Sequence, residues 1–222
     1  MKTTRVSRGI TLIELLVVIC LIGILVSLMI PSVGGPIPRG RGQMTQALNN
    51  EKQIHLATFN MATDRISSGD PKIGYPGDLV ASGTMPCKVS EFVKVLVKNN
   101  YLRTGDLKIF AAAGVTPFSN QDINQFSAIP GPNNNCAFTV YCIQESDTTD
   151  AIFLSTINAT LEVSSTTFNL DAKAVPFGDK GYVIFHRGGD GAILGKNPAG
   201  RAHLQGTPCI MALTGTAALR AE

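Results

Sequence analysis

The sequence predicts an α+β fold: an apolar N-terminal helix, a second amphipathic helix, and a C-terminal antiparallel β-sheet. Three observations predict it. From Ile10 to Ile30 the chain runs 21 residues with Glu14 as its one charged side chain. Residues 43–66 repeat apolar side chains at helical spacing. Beyond residue 137, short β-branched and aromatic runs alternate with turn residues.

The apolar stretch comes first. A helix of that length is ~32 Å long at ~1.5 Å per residue, close to the thickness of a bilayer's hydrocarbon core. A carboxylate in such a helix costs roughly 2.5–3.5 kcal/mol at the membrane centre and less near the interface. A positive partner supplied on assembly would make Glu14 tolerable. Residues 1–9 ahead of it carry Lys2, Arg5 and Arg8 and no acid. Removing these three from the 19 basic residues leaves 16 against 16 acidic ones, so the rest of the chain is near neutral. No basic face argues for nucleic acid.

The stretch Arg8-Gly9-Ile10-Thr11-Leu12-Ile13-Glu14-Leu15-Leu16 resembles the class III signal of type IV prepilins and type II secretion pseudopilins. The resemblance is dense over about 25 residues. It implies a leader that ends at Gly9, cleavage after Gly9 by a membrane-embedded prepilin peptidase, and N-methylation of Ile10. Glu14 stands at the family's acidic position, and Pro31 matches its proline late in the apolar run. The family usually has Phe where Ile10 stands, though Met, Leu and Ile also occur there. A secretory signal peptide would need a shorter apolar core followed by a small-x-small site. Ser27-Leu28-Met29-Ile30-Pro31 is a poor site of that kind. An uncleaved signal anchor is the other competitor. In either case the basic N-terminus stays cytoplasmic and the bulk of the chain is exported.

The domain plan is therefore a leader over 1–9, a transmembrane and assembly helix over 10–30, a Gly/Pro-rich linker or helix break over 31–42, and a pilin-like head over 43–222. Gly23 would allow close approach of a neighbouring helix. Residues 31–42 hold three prolines and four glycines, which oppose a continuous helix. Arg39 and Arg41 would lie just outside the membrane, where they could meet anionic head groups; ordinary solvated charges are the plainer reading.

In the head, Met44, Ala47, Leu48, Ile54, Ala57, Met61 and Ala62 form one stripe, interrupted by Glu51. This spine helix packs on a sheet, with His55 exposed or partly packed. Ser67-Ser68-Gly69-Asp70-Pro71 ends it. Residues 70–86, with Gly74-Tyr75-Pro76-Gly77-Asp78, read as an irregular connection. Ser90 reads as the N-cap of a short helix that Asn99-Asn100 ends. Leu107–Phe110 reads as a short strand. Further strands are expected at Ala137–Ile143, Ala151–Thr156, Thr160–Val163 and Tyr182–His186. A hairpin across Gly188-Gly189-Asp190-Gly191 leads to Ala192–Leu194, and Cys209–Leu213 is a candidate edge strand. Trp is absent and aromatics are 6% of residues, which predicts an aliphatic core. The head also looks like large pseudopilin-like proteins of the planctomycete–verrucomicrobial kind. The residues that carry this are Asn49-Asn50-Glu51-Lys52-Gln53-Ile54, Val97-Lys98-Asn99-Asn100-Tyr101-Leu102 and Pro176-Phe177-Gly178-Asp179-Lys180-Gly181.

Five cysteines are present. Cys20 lies in the apolar helix as a small apolar residue. Cys87, Cys136, Cys142 and Cys209 are candidate disulfide partners in an oxidising compartment, with three pairings open. On one regular strand Cys136 and Cys142 would be roughly 20 Å apart and share a face, so each would need a partner elsewhere, Cys87 or Cys209. No C-x₂-C pair supports zinc.

No cofactor is expected. Major pseudopilins bind calcium in a C-terminal loop, so the resemblance leaves a calcium site open; Asp171, Asp179 and Asp190 are scattered, and no ligands are assigned. The segment Gly188–Lys196 fails the phosphate-loop pattern, because Asp190 stands at the first glycine position and Asn197 follows Lys196. No G-x-S-x-G occurs, and His186 and His203 have no evident nucleophile, so the chain is not expected to be an enzyme. Asn158-Ala159-Thr160 fits a glycosylation sequon.

The resemblance implies a structural subunit of a type II secretion pseudopilus or type IV pilus-like filament. It would sit in the inner membrane as a single pass with a periplasmic head, and could extend into an extracellular filament. Its partners would be the peptidase, other subunits, an assembly platform and the lipid bilayer. The alternative is a membrane-anchored exported binding module that uses the signal for delivery.

Overall fold

The computed structural model describes residues 12–29, 39–129, 131–162 and 167–195. The chain divides into two units, Met1–Pro38 and Arg39–Glu222.

In the first unit helix α1 runs Leu12–Met29 over 18 residues. At ~1.5 Å per residue it is ~27 Å long, slightly less than a ~30 Å hydrocarbon core. Among the described residues no helix is long and apolar enough to cross a membrane. Ile10, Thr11 and Ile30, which complete the expected stretch, lie outside the described residues.

The second unit is α+β. Helix α2 spans Arg39–Ser68, 30 residues. It begins four residues inside the stretch expected to break it. Gly40 and Gly42 fall in its first turn, where a glycine costs less than in a helix interior, and no proline follows Pro38 until Pro71. Its predicted stripe is the packed face: Met44, Ala47, Ile54, Ala57, Met61 and Ala62 are buried. The helix ends as expected at Gly69, whose positive φ of 71° lets its N–H reach the Arg65 carbonyl at 2.8 Å.

Three expectations downstream are corrected. The connection 70–86 contains a short helix, α3, at Pro76–Ala81, with Pro76 opening it and Tyr75 extended before it. Helix α4 covers Val89–Lys98 with Lys88, not Ser90, at the cap. Val89 is drawn into the core, so the helix opens before Ser90, which is buried inside it. Asn100 takes a φ of 62°, and Tyr101 N–H reaches back to the Leu96 carbonyl at 3.0 Å to close the helix. Leu107–Phe110 is not a strand but the end of a 3₁₀ helix, Thr104–Phe110. Its entry is held by Asp106, whose carboxylate accepts the Arg103 N–H at 3.4 Å.

Among the described residues the sheet has four strands: β1 Phe138–Val140, β2 Ile152–Thr156, β5 Gly181–His186 and β6 Gly191–Gly195, in the order β1-β2-β5-β6. Every neighbouring pair is antiparallel, with Val140 opposite Leu154, Ser155 opposite Ile184 and Val183 opposite Ile193. A separate hairpin pairs β3, Ala159–Glu162, with β4, Thr167–Leu170, a strand the sequence reading missed. Cys209–Leu213 lies outside the described residues. Both central strands are buried at every position, so the middle of the sheet is covered on both faces. Helix α2 packs against β5 and β6.

Aliphatic side chains make up most of the buried core, as the composition predicts, but its largest members are aromatic. Tyr75, Tyr182, Phe92, Phe110, Phe138 and Phe153 are among its largest fully buried side chains. Phe153 meets Tyr75 and Phe92 edge to face, with ring centroids 6.4 and 6.5 Å apart. Aromatic residues are few in this chain, but most of them are inside.

Candidate functional site

The residues that the sequence reading singles out fall into two groups. Gly9, Ile10, Pro31 and Cys209 lie outside the described residues, as does His203. Glu14 and Cys20 are on α1, and Cys87, Cys136 and Cys142 are in the second unit.

Glu14 stands in the first turn of α1, where the aligned backbone N–H groups favour a carboxylate. Around it Leu12, Ile13, Leu15, Leu16, Val17 and Val18 are all exposed. Apolar residues continue at Ile19, Leu21 and Ile22, and Cys20 is exposed among them.

In the second unit the polar side chains gather along one seam, where the end of α2, helix α3, the loop 143–150 and the turn after β5 meet. Arg65 on α2 pairs with Asp78 on α3 at 3.1 Å. The same Asp78 oxygen accepts the Glu145 N–H at 3.1 Å. Glu145 in turn holds Arg187 at 2.8 Å, and Arg187 also donates to the Asp147 carbonyl at 2.9 Å. The Arg187 guanidinium lies 5.2 Å from the centre of the Tyr75 ring, a cation–π contact. Burial raises the Tyr75 hydroxyl above its ordinary range, so it stays protonated. These partners are far apart in sequence, and no local spacing could have announced them. The seam joins elements; it sets no nucleophile beside a base.

Backbone approach is close at the same seam. The Gly77 N–H donates to the Ile143 carbonyl at 2.8 Å. A Cβ on Gly77 would stand 2.5 Å from the Cys142 carbonyl oxygen, so only glycine fits without displacement.

One expectation about the cysteines is corrected here. Strand β1 stops at Val140, so Cys136 and Cys142 flank it and do not share a face of one regular strand. The Cys87 and Cys142 sulfurs lie 3.6 Å apart. Cys136 is buried and its thiol donates to the Phe138 carbonyl at 3.2 Å; burial pushes its pKa up to about 12.

His55 is buried at 6% exposure, not exposed on the spine helix. Its ring is enclosed by Phe59, Phe153 and Phe185. His186 Nδ1 sits 2.7 Å from the Asp190 carboxylate across the β5–β6 turn, and its Nε2 is buried without a hydrogen-bond partner. Among the described residues no group of three or more His, Cys, Asp or Glu side chains could hold a metal ion. Asp190 is engaged with His186, and an Asp171 oxygen accepts the Lys173 N–H at 2.9 Å. Asn158 of the sequon is fully buried, and its side-chain amide donates to the Gly178 and Gly181 carbonyls at 2.7 and 2.8 Å.

A groove of about 500 Å³ runs between α2 and the 3₁₀ helix. Gln43, Gln46, Asn50 and Gln53 line it with Lys108. It offers amide hydrogen bonds and one ammonium. The sequence reading passed over it because the glutamines fall on the polar side of the stripe.

No protein-family model, no curated protein and no solved structure matches this chain.

Proposed function

We propose that this chain is a structural subunit of a type II secretion pseudopilus or type IV pilus-like filament. A prepilin peptidase removes residues 1–9, the new amine of Ile10 is methylated, and the subunit waits in the inner membrane with its head in the periplasm. On assembly the Glu14 carboxylate pairs with the Ile10 amine of a neighbouring subunit. A charge-assisted bond of that kind offsets the cost of a carboxylate in a dry helix bundle. Helix packing then excludes lipid and builds the filament core, and an inner-membrane platform drives the addition of subunits.

One observation carries this reading. The segment around Glu14 is helical and apolar on all sides, and it follows a basic leader that ends in Gly9. An α+β head with a 30-residue helix laid on an antiparallel sheet agrees in outline with a pilin head. The experiment is Glu14→Ala in cells that carry the assembly machinery. Cleavage after Gly9 should persist while recovery of filament falls at least tenfold. Normal filament yield from the variant would overturn the role given to Glu14.

A further inference from the structure

We propose that Cys87 and Cys142 are joined by a disulfide in the mature protein, clasping the loop after α3 to the end of the sheet's edge strand. The proposal rests on the export to an oxidising compartment argued above, and otherwise on geometry alone.

The two sulfurs are 3.6 Å apart although 55 positions separate them in the chain. A disulfide needs ~2.05 Å, which side-chain rotation supplies when the backbones are already close. The seam fixes helix α3 beside Cys142: Gly77 donates to the Ile143 carbonyl, and a Cβ on Gly77 would strike the backbone of Cys142; the loop that carries Cys87 is tied back to α3 by the Thr84 and Met85 N–H groups, which donate to the Leu79 carbonyl at 3.0 and 3.2 Å. Asp78 adds its bond to the Glu145 N–H. The chain therefore meets at this point whether or not the sulfurs are bonded, and the bond would form without refolding. Cys136, with its thiol on the Phe138 carbonyl, is engaged elsewhere. Metal ligation is disfavoured because two thiolates need further ligands, and no group of three possible ligands occurs among the described residues.

The chemistry is thiol–disulfide exchange with a disulfide-bearing oxidase. Cys142 is buried and its thiol is raised to about 12, first by burial and then by Cys87 beside it. Cys87 is the more exposed sulfur, so it attacks first and forms a mixed disulfide, releasing one oxidase thiolate. Cys142 then displaces the second oxidase sulfur. One S–S bond forms, the oxidase's S–S bond breaks, and two electrons and two protons pass to the oxidase.

The test uses the purified full-length chain in detergent, equilibrated with a glutathione redox buffer, blocked with N-ethylmaleimide and digested without reduction. The expected product is a peptide pair linking Cys87 to Cys142, absent from Cys87→Ser. Reduction should lower the melting temperature by roughly 8–15 °C, and Cys87→Ser should show no such drop. Recovery of Cys142 as the maleimide adduct, or linked to Cys136 or Cys209, would overturn the proposal. A second arm traps thiols in acid directly from cells that express the chain. A linked pair there supports both the clasp and export. A reduced pair in cells, from a chain that links when purified, supports the geometry and counts against export.

Discussion

The Nε2 atom of His55, midway along α2, lies 2.8 Å from the Arg187 carbonyl in the turn after β5. This bond ties the helix to the sheet at a point that Phe59, Phe153 and Phe185 keep dry. Burial lowers the His55 pKa from its ordinary 6.5, and Arg187 adds to this, while the backbone bond and Asp190 oppose it. The unfolded chain therefore binds more protons than the folded one between 6.5 and the folded value. Stability is full above about pH 6.5 and falls as pH drops below it.

His55→Phe keeps a ring in this site but removes both the bond and the titration. Its cost at pH 7.5 should be about 1 kcal/mol, for the Arg187 carbonyl left without its partner. Urea denaturation at pH 7.5 and 5.5 measures this. The variant should lose less stability between the two pH values than the parent does. An equal loss in both would show that His55 is not the group that titrates.

Glu51 is the one break in the apolar stripe of α2, and it is 0% exposed. Neither of its carboxyl oxygens has a hydrogen-bond partner, and burial raises its pKa well above the ordinary 4.5. Here the sign is opposite to that of His55. The folded chain binds the extra proton, so stability falls as pH rises above 4.5 toward the folded value. Glu51→Leu should raise stability by about 1–3 kcal/mol at pH 7 and flatten that fall. A destabilised variant in chemical denaturation would show that Glu51 has an unrecognised partner.

Asn158 holds the two carbonyls of Gly178 and Gly181 at the mouth of β5. Asn158→Ala strands both, at a cost of about 2–3 kcal/mol in denaturant unfolding. The same two bonds occupy the nitrogen a glycan would need. Intact mass of the chain made in a glycosylating host should show no sugar on Asn158, and a glycopeptide there would contradict the burial described.

The helices were legible where one periodicity ran long enough. The stripe from Met44 to Ala62 marked α2 and its packed face, because burial against a sheet repeats every third or fourth residue. Strands β2, β5 and β6 were legible as β-branched and aromatic runs bounded by turns. What failed were short elements whose conformation is set by distant partners. Pro76-Gly77-Asp78 reads as part of an irregular connection, yet it forms α3, where Gly77 presses against the Cys142 backbone. Leu107-Lys108-Ile109-Phe110 is apolar without alternation, and such a run does not distinguish a strand from a 3₁₀ turn. The polar seam was not legible, since Asp78 and Glu145 meet across 67 positions. Glu51 was visible as an exception to the pattern; that it is buried was not.

The central claim concerns the beginning of the mature chain, and mass spectrometry of the native N-terminus tests it most directly. The account predicts a protein that starts at N-methylated Ile10, and a Gly9→Val variant that keeps residues 1–9. A native protein that still begins at Met1, or that first appears beyond Pro31, would contradict it.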